Sequence, residues 1–394
     1  MRVLHLIPSI SPLRGGPSQA VLSMVAALRQ QGVDASILTT NDHGSGVQAG
    51  MPLGCWHHQV ALGQSVPVLA FGRWNPPVRV LREFAIAPGL SRWLSQNACQ
   101  YDLVHVHALF SCTTSLGMAQ LRRQRVPYIL RTIGQLNRWS LSQSRARKQF
   151  FLRLVDRANL QGARYLHFTS EAERGEAGDL HLAPPSYVLP LGVVPSAPHF
   201  DPGIRPFGNP PYLVRLLFLS RIHPKKQLPV LFDALAVLKQ RHPSRAWQLE
   251  IAGDGDPEYL QQLQQHCAAL GLASQVQWHG FVEGEAKQSL LQQADWFVLP
   301  SASENFGIAA AEALMAGTPV VLSPGVALAA NVQAAQAGLV CHPSVDSLAG
   351  CLEQCLERPA LRMRQAARQL AEREFSWSSI SRQLIGHYED ILRG

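Results

Sequence analysis

The chain has 394 residues, 46% hydrophobic and 16% charged, a composition that excludes a disordered or fibrous protein and, at ~150 residues per domain, calls for two to three domains. No window holds ~18 uninterrupted apolar residues, so a membrane-spanning helix is not expected, and Met1 to Pro8 reads as a first strand and not as a signal peptide. The formal charge of +8 is lopsided, because residues 1–200 carry 19 basic and 9 acidic side chains and the remainder 16 and 18.

Arg2 to Ile7 is a strand, Ser9 to Pro17 a glycine-rich loop, and Ser18 to Gln31 a helix with apolar residues at 21, 22, 25 and 28, closed by Gly32. Val33 to Thr39 completes a βαβ unit, which implies a parallel sheet. Gly15 and Gly16 let backbone approach a ligand at the helix start. Asn41 to Pro77 reads as loops with one short strand near Val66–Ala70, and Val78 to Asn97 as a helix. Asp102 to His107 is a buried strand. His105 and His107 share one of its faces and could hold a metal, but no third ligand is evident. His107 stands at the C-terminal end of that strand, where open parallel sheets place their ligands.

Tyr128–Leu130 is the next strand, followed by a loop from Arg131 to Ser144 and a basic helix over Gln143–Asn159. Between Leu121 and Arg157 ten basic residues stand against Asp156 alone. Such a block attracts anionic headgroups, a phosphorylated acceptor or nucleic acid, or is simply a solvated face. Strands over Leu166–Ser170 and Tyr187–Leu191 close a first domain, residues 1–195. Six prolines and two glycines between Pro195 and Pro211 mark a linker, residues 196–211.

A second domain, residues 212–375, opens with a strand over Leu213–Leu219. The turn Ser220–Gln227 carries Arg221 and Lys226, a cation pair suited to a diphosphate, ahead of a helix over Leu228–Gln240. After the strand Trp247–Ile251 comes Gly253-Asp254-Gly255-Asp256, which is not a dinucleotide fingerprint. Gln275–Trp278 is a strand with Gly280, Phe281 and Val282 after it. Trp296–Leu299 is a buried strand. The turn Ser301–Asn305 follows, then Phe306-Gly307 and an alanine-rich helix ending at Gly317, and then the strand Pro319–Leu322. Strand, turn and helix start make an anion pocket, because the first helical N–H groups lack partners. Glu304 and Glu312 flank it; repelled by phosphate, they are expected to engage hydroxyls. A ligand carrying both phosphate and sugar fits. Gly338–Val340, helices over Ser347–Leu356 and Pro359–Glu374, and an amphipathic helix over Ile380–Leu392 complete the chain. The seven cysteines are odd in number and scattered, as suits reduced thiols in a cytoplasm.

Glu304 and Glu312 in SENFGIAAAEALMAG resemble the paired-glutamate signature of retaining glycosyltransferases of the GT-B fold, family 4, of the bacterial exopolysaccharide and cell-envelope type. The resemblance extends over nearly all of the chain. It implies an α/β architecture of two Rossmann-like, doubly wound domains facing across a cleft, with the C-terminal helix, residues 376–394, packing back on the first. By the same resemblance Glu304 holds donor-sugar hydroxyls and Glu312 the ribose, Arg221 and Lys226 grip the diphosphate, and Asn305, Phe306 and Gly307 approach sugar and diphosphate. Gly15 and Gly16 lie against the diphosphate and acceptor, and Gly253, Phe281 and Val282 border the nucleotide. His107 stands near the reacting centre and Arg131 near the acceptor or diphosphate.

The implied reaction moves a sugar from a nucleotide diphosphate sugar, the co-substrate, to a saccharide or polyprenyl-linked acceptor with retention of configuration. No Asp-x-Asp motif stands in a turn suited to a metal, so no metal or other cofactor is expected, and nucleic acid is not an expected partner. The expected location is cytoplasmic, with peripheral attachment to the anionic inner membrane face through residues 121–157. The competing readings are another GT-B enzyme, a phosphorylase or inverting transferase, and a non-catalytic nucleotide-sugar binder.

Overall fold

A computed structural model describes residues 1–14, 16–44, 46–76, 86–142, 151–194, 213–356 and 361–393. The chain divides into two compact units, Met1–Gly192 with Trp377–Gly394, and Val193–Ser376. Both are α/β with mainly parallel sheets. The proposed linker, the start of the Val78–Asn97 helix and the first half of the Gln143–Asn159 helix lie outside the described residues.

The first unit holds β1 (Arg2–Leu6), β2 (Asp34–Thr40), a small ribbon of β3 (Asp42–His43) and β4 (Gly46–Val47), β5 (Trp56–Ala61), β6 (Gln64–Phe71), β7 (Leu103–His107), β8 (Tyr128–Arg131), β9 (Tyr165–Phe168) and β10 (Ser186–Val188). Its large sheet runs β10-β9-β8-β7-β1-β2-β6-β5, parallel throughout except for the β5–β6 pairing. Four of the five residues of β1 and every residue of β7 and β8 are buried, as expected of strands covered on both faces. The order reverses between β1 and β7, a switch point of the kind that places ligands at strand C-termini.

Two readings change here. Val66–Ala70 is not a lone strand but the second arm of a hairpin. Its first arm, WHHQVA, alternates exposed and half-buried residues, and its two central histidines hide the strand pattern. Cys112–Gln124, unmarked in the sequence reading, is a helix with buried Thr113, Thr114, Ser115, Met118 and Leu121. Its apolar face is built largely from hydroxyl side chains, so hydrophobic periodicity is weak.

The second unit is one six-stranded parallel sheet, β13-β12-β11-β14-β15-β16, from β11 (Val214–Leu219), β12 (Trp247–Ala252), β13 (Val276–Gly280), β14 (Trp296–Leu299), β15 (Val320–Leu322) and β16 (Gly338–Val340). Numbered within the unit the order is 3-2-1-4-5-6, the doubly wound Rossmann arrangement, with its switch point between β11 and β14. Helices Pro257–Ala269 and Gly284–Gln293, also unmarked in the sequence reading, cross over within this sheet. The first is glutamine-rich with only Leu263 and Cys267 buried; its start is fixed by Asp256, whose carboxylate accepts from the N–H groups of Glu258 and Tyr259. Among the described residues no helix is long and apolar enough to cross a membrane.

Candidate active site

Two turns meet at the switch point of the second unit. The one after β11 carries Arg221, His223, Lys225 and Lys226; the one after β14 carries Glu304, Asn305, Phe306 and Gly307. Because β11 and β14 are adjacent, backbone joins the turns, the Ala302 N–H donating to the Lys225 carbonyl at 2.8 Å. The Lys226 ammonium then closes onto the Glu304 carboxylate, with side-chain exposures of 7% and 18%. Burial lowers the Lys226 pKa, as do the Lys225 and Arg221 charges, while Glu304 opposes them. His223 accepts from the Lys225 N–H at 3.3 Å, and burial, then Arg221 and the two lysines, push its pKa down. The turn is thus a compact field of positive charge, with the Glu304 carboxylate against Lys226.

Arg221 is exposed and lines a concavity of about 550 Å³ with Ile222, His223, Pro224, Gly255, Asp256 and Tyr259. Lys226 and the two glutamates are not part of its wall. Glu312 is held separately: the Lys287 ammonium, on helix Gly284–Gln293, donates to its carboxylate at 2.8 Å. Sequence reasoning missed Lys287, since nothing in a spacing of 25 residues marks the pairing.

Gly307 opens helix Ile308–Met315 with a φ of 89°, a left-handed conformation in which a side chain is strained. The Ala310 and Ala311 N–H groups turn back to its carbonyl, so the N–H groups of Ile308 and Ala309 precede the first intrahelical bonds. Phe306 is buried and packs edge-on against Phe375, centroids 5.6 Å apart. Its side chain anchors the turn. Gly253, at a φ of 143°, passes so close to the end of β11 that a Cβ would collide with the Ser220 carbonyl oxygen. Phe281 is 63% exposed and Val282 half-buried beyond β13. An Asp-Gly-Asp does occur after β12, but its carboxylates serve local backbone: Asp254 accepts from Gly255, and Asp256 caps a helix.

In the first unit Gly16 opens helix Gly16–Gln30, and Gly15 lies outside the described residues. Arg14, just before them, donates to Asp42 at 2.6 and 2.9 Å, and the buried Arg73 pairs with the same carboxylate. His107 is fully buried, with His5 at 3.0 Å on Nε2 and Arg131 at 3.4 Å on Nδ1. Arg131 is itself completely buried, so in this conformation its guanidinium faces protein, and not an acceptor in solvent. A third histidine does exist: β1 pairs with β7 so that His5 lies beside His105, and ligand atoms of His5, His105 and His107 lie within 4.8 Å of one another. Only the parallel pairing of strands a hundred residues apart brings His5 there.

Residues 15–192 match the family model described as glycosyl transferase 4-like domain, and residues 207–372 the model described as glycosyl transferases group 1. An uncharacterized glycosyltransferase of Methanocaldococcus jannaschii is 33% identical over 44% of either chain. A D-inositol 3-phosphate glycosyltransferase of an Arthrobacter species is 28% identical over 91% of this chain and 86% of its own. Among solved structures, sucrose-phosphate synthase of Thermosynechococcus elongatus aligns over all of both chains with a TM-score of 0.76 at 19% identity. Anabaena HepE, in complex with UDP and glucose, aligns over 99% of this chain and 100% of its own with a TM-score of 0.73 at 20% identity.

Proposed function

Because the chain is a glycosyltransferase with the GT-B fold, we propose that it transfers a sugar with retention of configuration from a nucleoside diphosphate sugar to a hydroxyl of a saccharide or lipid-linked acceptor, in polysaccharide or cell-envelope assembly. The observation that carries this reading is the switch point of the second unit, where Arg221 and Lys226 stand on one turn and Glu304 and a helix start on the next.

The leaving diphosphate gains charge as the glycosidic bond breaks. Arg221, Lys226 and the N–H groups of Ile308 and Ala309 are fixed dipoles and charges that stabilise it, which is where most of the rate enhancement would arise. Glu304 takes donor-sugar hydroxyls once the diphosphate draws on Lys226. Glu312, oriented by Lys287, takes the ribose diol. The cationic turn supplies the charge that a divalent ion would otherwise bring, so the reaction is proposed to run without a metal. Retention is proposed to follow a front-face path, in which the departing phosphate oxygen receives the acceptor proton.

The relative that acts on D-inositol 3-phosphate and the basic excess of residues 1–200 favour an acceptor carrying phosphate. Among the described residues of the 121–157 block Arg122, Arg123, Arg125 and Arg157 are exposed, whereas Arg131 is buried. They favour attachment to an anionic membrane face, and vesicle co-sedimentation that ignores salt and anionic lipid would remove that reading.

The deciding experiment is a thermal-shift screen against UDP, GDP and ADP sugars, followed by NMR of the product's anomeric centre. A ligand of the folded state raises the melting temperature. One nucleotide series should stabilise the protein and yield a retained anomer. An inverted product, or phosphate-dependent turnover without a nucleotide sugar, would replace this function with another.

A further inference from the structure

The buried face of the first sheet carries a row of polar side chains that the proposed chemistry does not use. Register places His5 beside His105, His107 beside Arg131, Arg131 beside His167, and His167 beside Tyr187. The C-terminal helix Trp377–Arg393 covers the row with Tyr388, 2.7 Å from His105 Nδ1, and with His387, stacked on Tyr187 at 3.9 Å. His5, His105, His107, His167, Arg131 and Tyr388 are completely buried, and His387 is half-buried.

Three imidazoles this close would suit a metal ion, but the two ends of the network dictate a different arrangement of protons. A guanidinium can only donate, so His107 Nδ1, 3.4 Å from Arg131 Nη1, accepts. The His107 proton therefore sits on Nε2 and is donated to His5 Nδ1 at 3.0 Å, which puts the His5 proton on Nε2. At the other end the Leu189 carbonyl can only accept, so His167 carries its proton on Nε2, at 2.8 Å. His167 Nδ1 then accepts from His105 Nε2 at 3.2 Å, and His105 Nδ1 accepts from the Tyr388 hydroxyl.

We infer that Arg131 is a positioning residue: it fixes the proton order of His107 and, through it, of His5, while the Leu189 carbonyl fixes that of His167 and His105. All four imidazoles are then Nε2–H tautomers. A metal on His107 Nε2 would force a proton onto Nδ1, against the Arg131 donors, and would set a dication beside a buried guanidinium whose Nε and Nη2 find no hydrogen-bond partner among the described residues. The order leaves one loose end, the His5 Nε2 proton, and that atom is indeed buried without a hydrogen-bond partner among the described residues. Glu173, Tyr187 and Tyr388 are the groups that favour the charged form of Arg131 against its burial. The bearing on catalysis rests on His107 standing near the reacting centre, as the family resemblance implies; the proton order itself does not.

Long-range proton–nitrogen NMR on the full chain labelled with 15N-histidine tests this. The wild type should show four buried Nε2–H tautomers at neutral pH. Arg131→Gln, which keeps a donor, should preserve them and move the acid limb of the kcat profile to higher pH. Arg131→Met should scramble His107 and His5 and leave His105 and His167 unchanged. An Nδ1–H or doubly protonated His107 in the wild type overturns the inference, as does one equivalent of zinc shifting these resonances, or unchanged tautomers in Arg131→Met. Should that variant fail to fold, the wild-type spectrum and the zinc titration decide. The expected spectrum in a protein without transferase activity would sink the proposed function alone.

Discussion

Lys226 and Glu304, 78 residues apart in the chain, form an ion pair that links the turns at the ends of two neighbouring strands. Neither side chain is well solvated, so each neutralises the other. Lys226→Met and Glu304→Gln should each lower kcat by about 10²–10³, the scale for losing one preorganised electrostatic contact. Each should also cost stability, and the double variant should be more stable than the two losses combined allow. A double-mutant cycle on urea midpoints with parallel turnover assays checks both; strictly additive losses would mean the pair is not coupled.

Glu312 is oriented by Lys287, and the proposed function gives it the ribose and not the reacting sugar. Its contribution is therefore expected in binding: Glu312→Gln should raise donor KM by about 10- to 100-fold with kcat nearly unchanged, since a hydrogen bond to a charged group is worth ~1.5–3 kcal/mol. Lys287→Met should show the same split more weakly. Steady-state kinetics at varied donor concentration measure it, and a dominant loss in kcat would move Glu312 into the chemistry.

Asp42 is buried beneath two arginines, Arg73 with no exposed side chain and Arg14 partly exposed. Asp42→Ala leaves the buried Arg73 charge without its carboxylate, with the Gly46 carbonyl and Asn75 Oδ1 as remaining acceptors. Breaking such a pair costs about 3–5 kcal/mol, so chemical denaturation should show a loss of that order in the first unit. Losses under about 1 kcal/mol would show that the arginines find other partners.

The histidine row makes the first unit acid-sensitive. Burial holds His5 and His167 down to about 3, and His105 and His107 well below the ordinary value of 6.5, with Arg131 and neighbouring imidazoles acting the same way. Unfolded, these side chains titrate near 6.5. Between about pH 6.5 and 3 the unfolded state thus binds more protons, and stability falls as pH falls, by up to about 1.4 kcal/mol per pH unit for each histidine. Above 6.5 this contribution is flat. Urea midpoints measured from about pH 7.5 to 5 should drop; constant midpoints would show that the row is not sealed.

The doubly wound class was legible in the sequence because short apolar runs such as Trp296–Leu299 and Val320–Leu322, bounded by turn residues, read as buried strands, and because each is followed by a turn and a helix. The turns that carry Glu304, Arg221 and Lys226 were legible because turn chemistry is local. What local sequence could not determine was partnership. Nothing along the chain says that Lys226 closes on Glu304, that Lys287 holds Glu312, or that His5 completes a row begun by His105. Those relations depend on which strands lie side by side, and parallel strands are joined by crossovers too long for any spacing rule to see. The same holds for Arg131: as a residue in a loop-proximal position it read as a hand held out to a ligand, and tertiary burial made it the fixed donor at one end of an internal chain of protons.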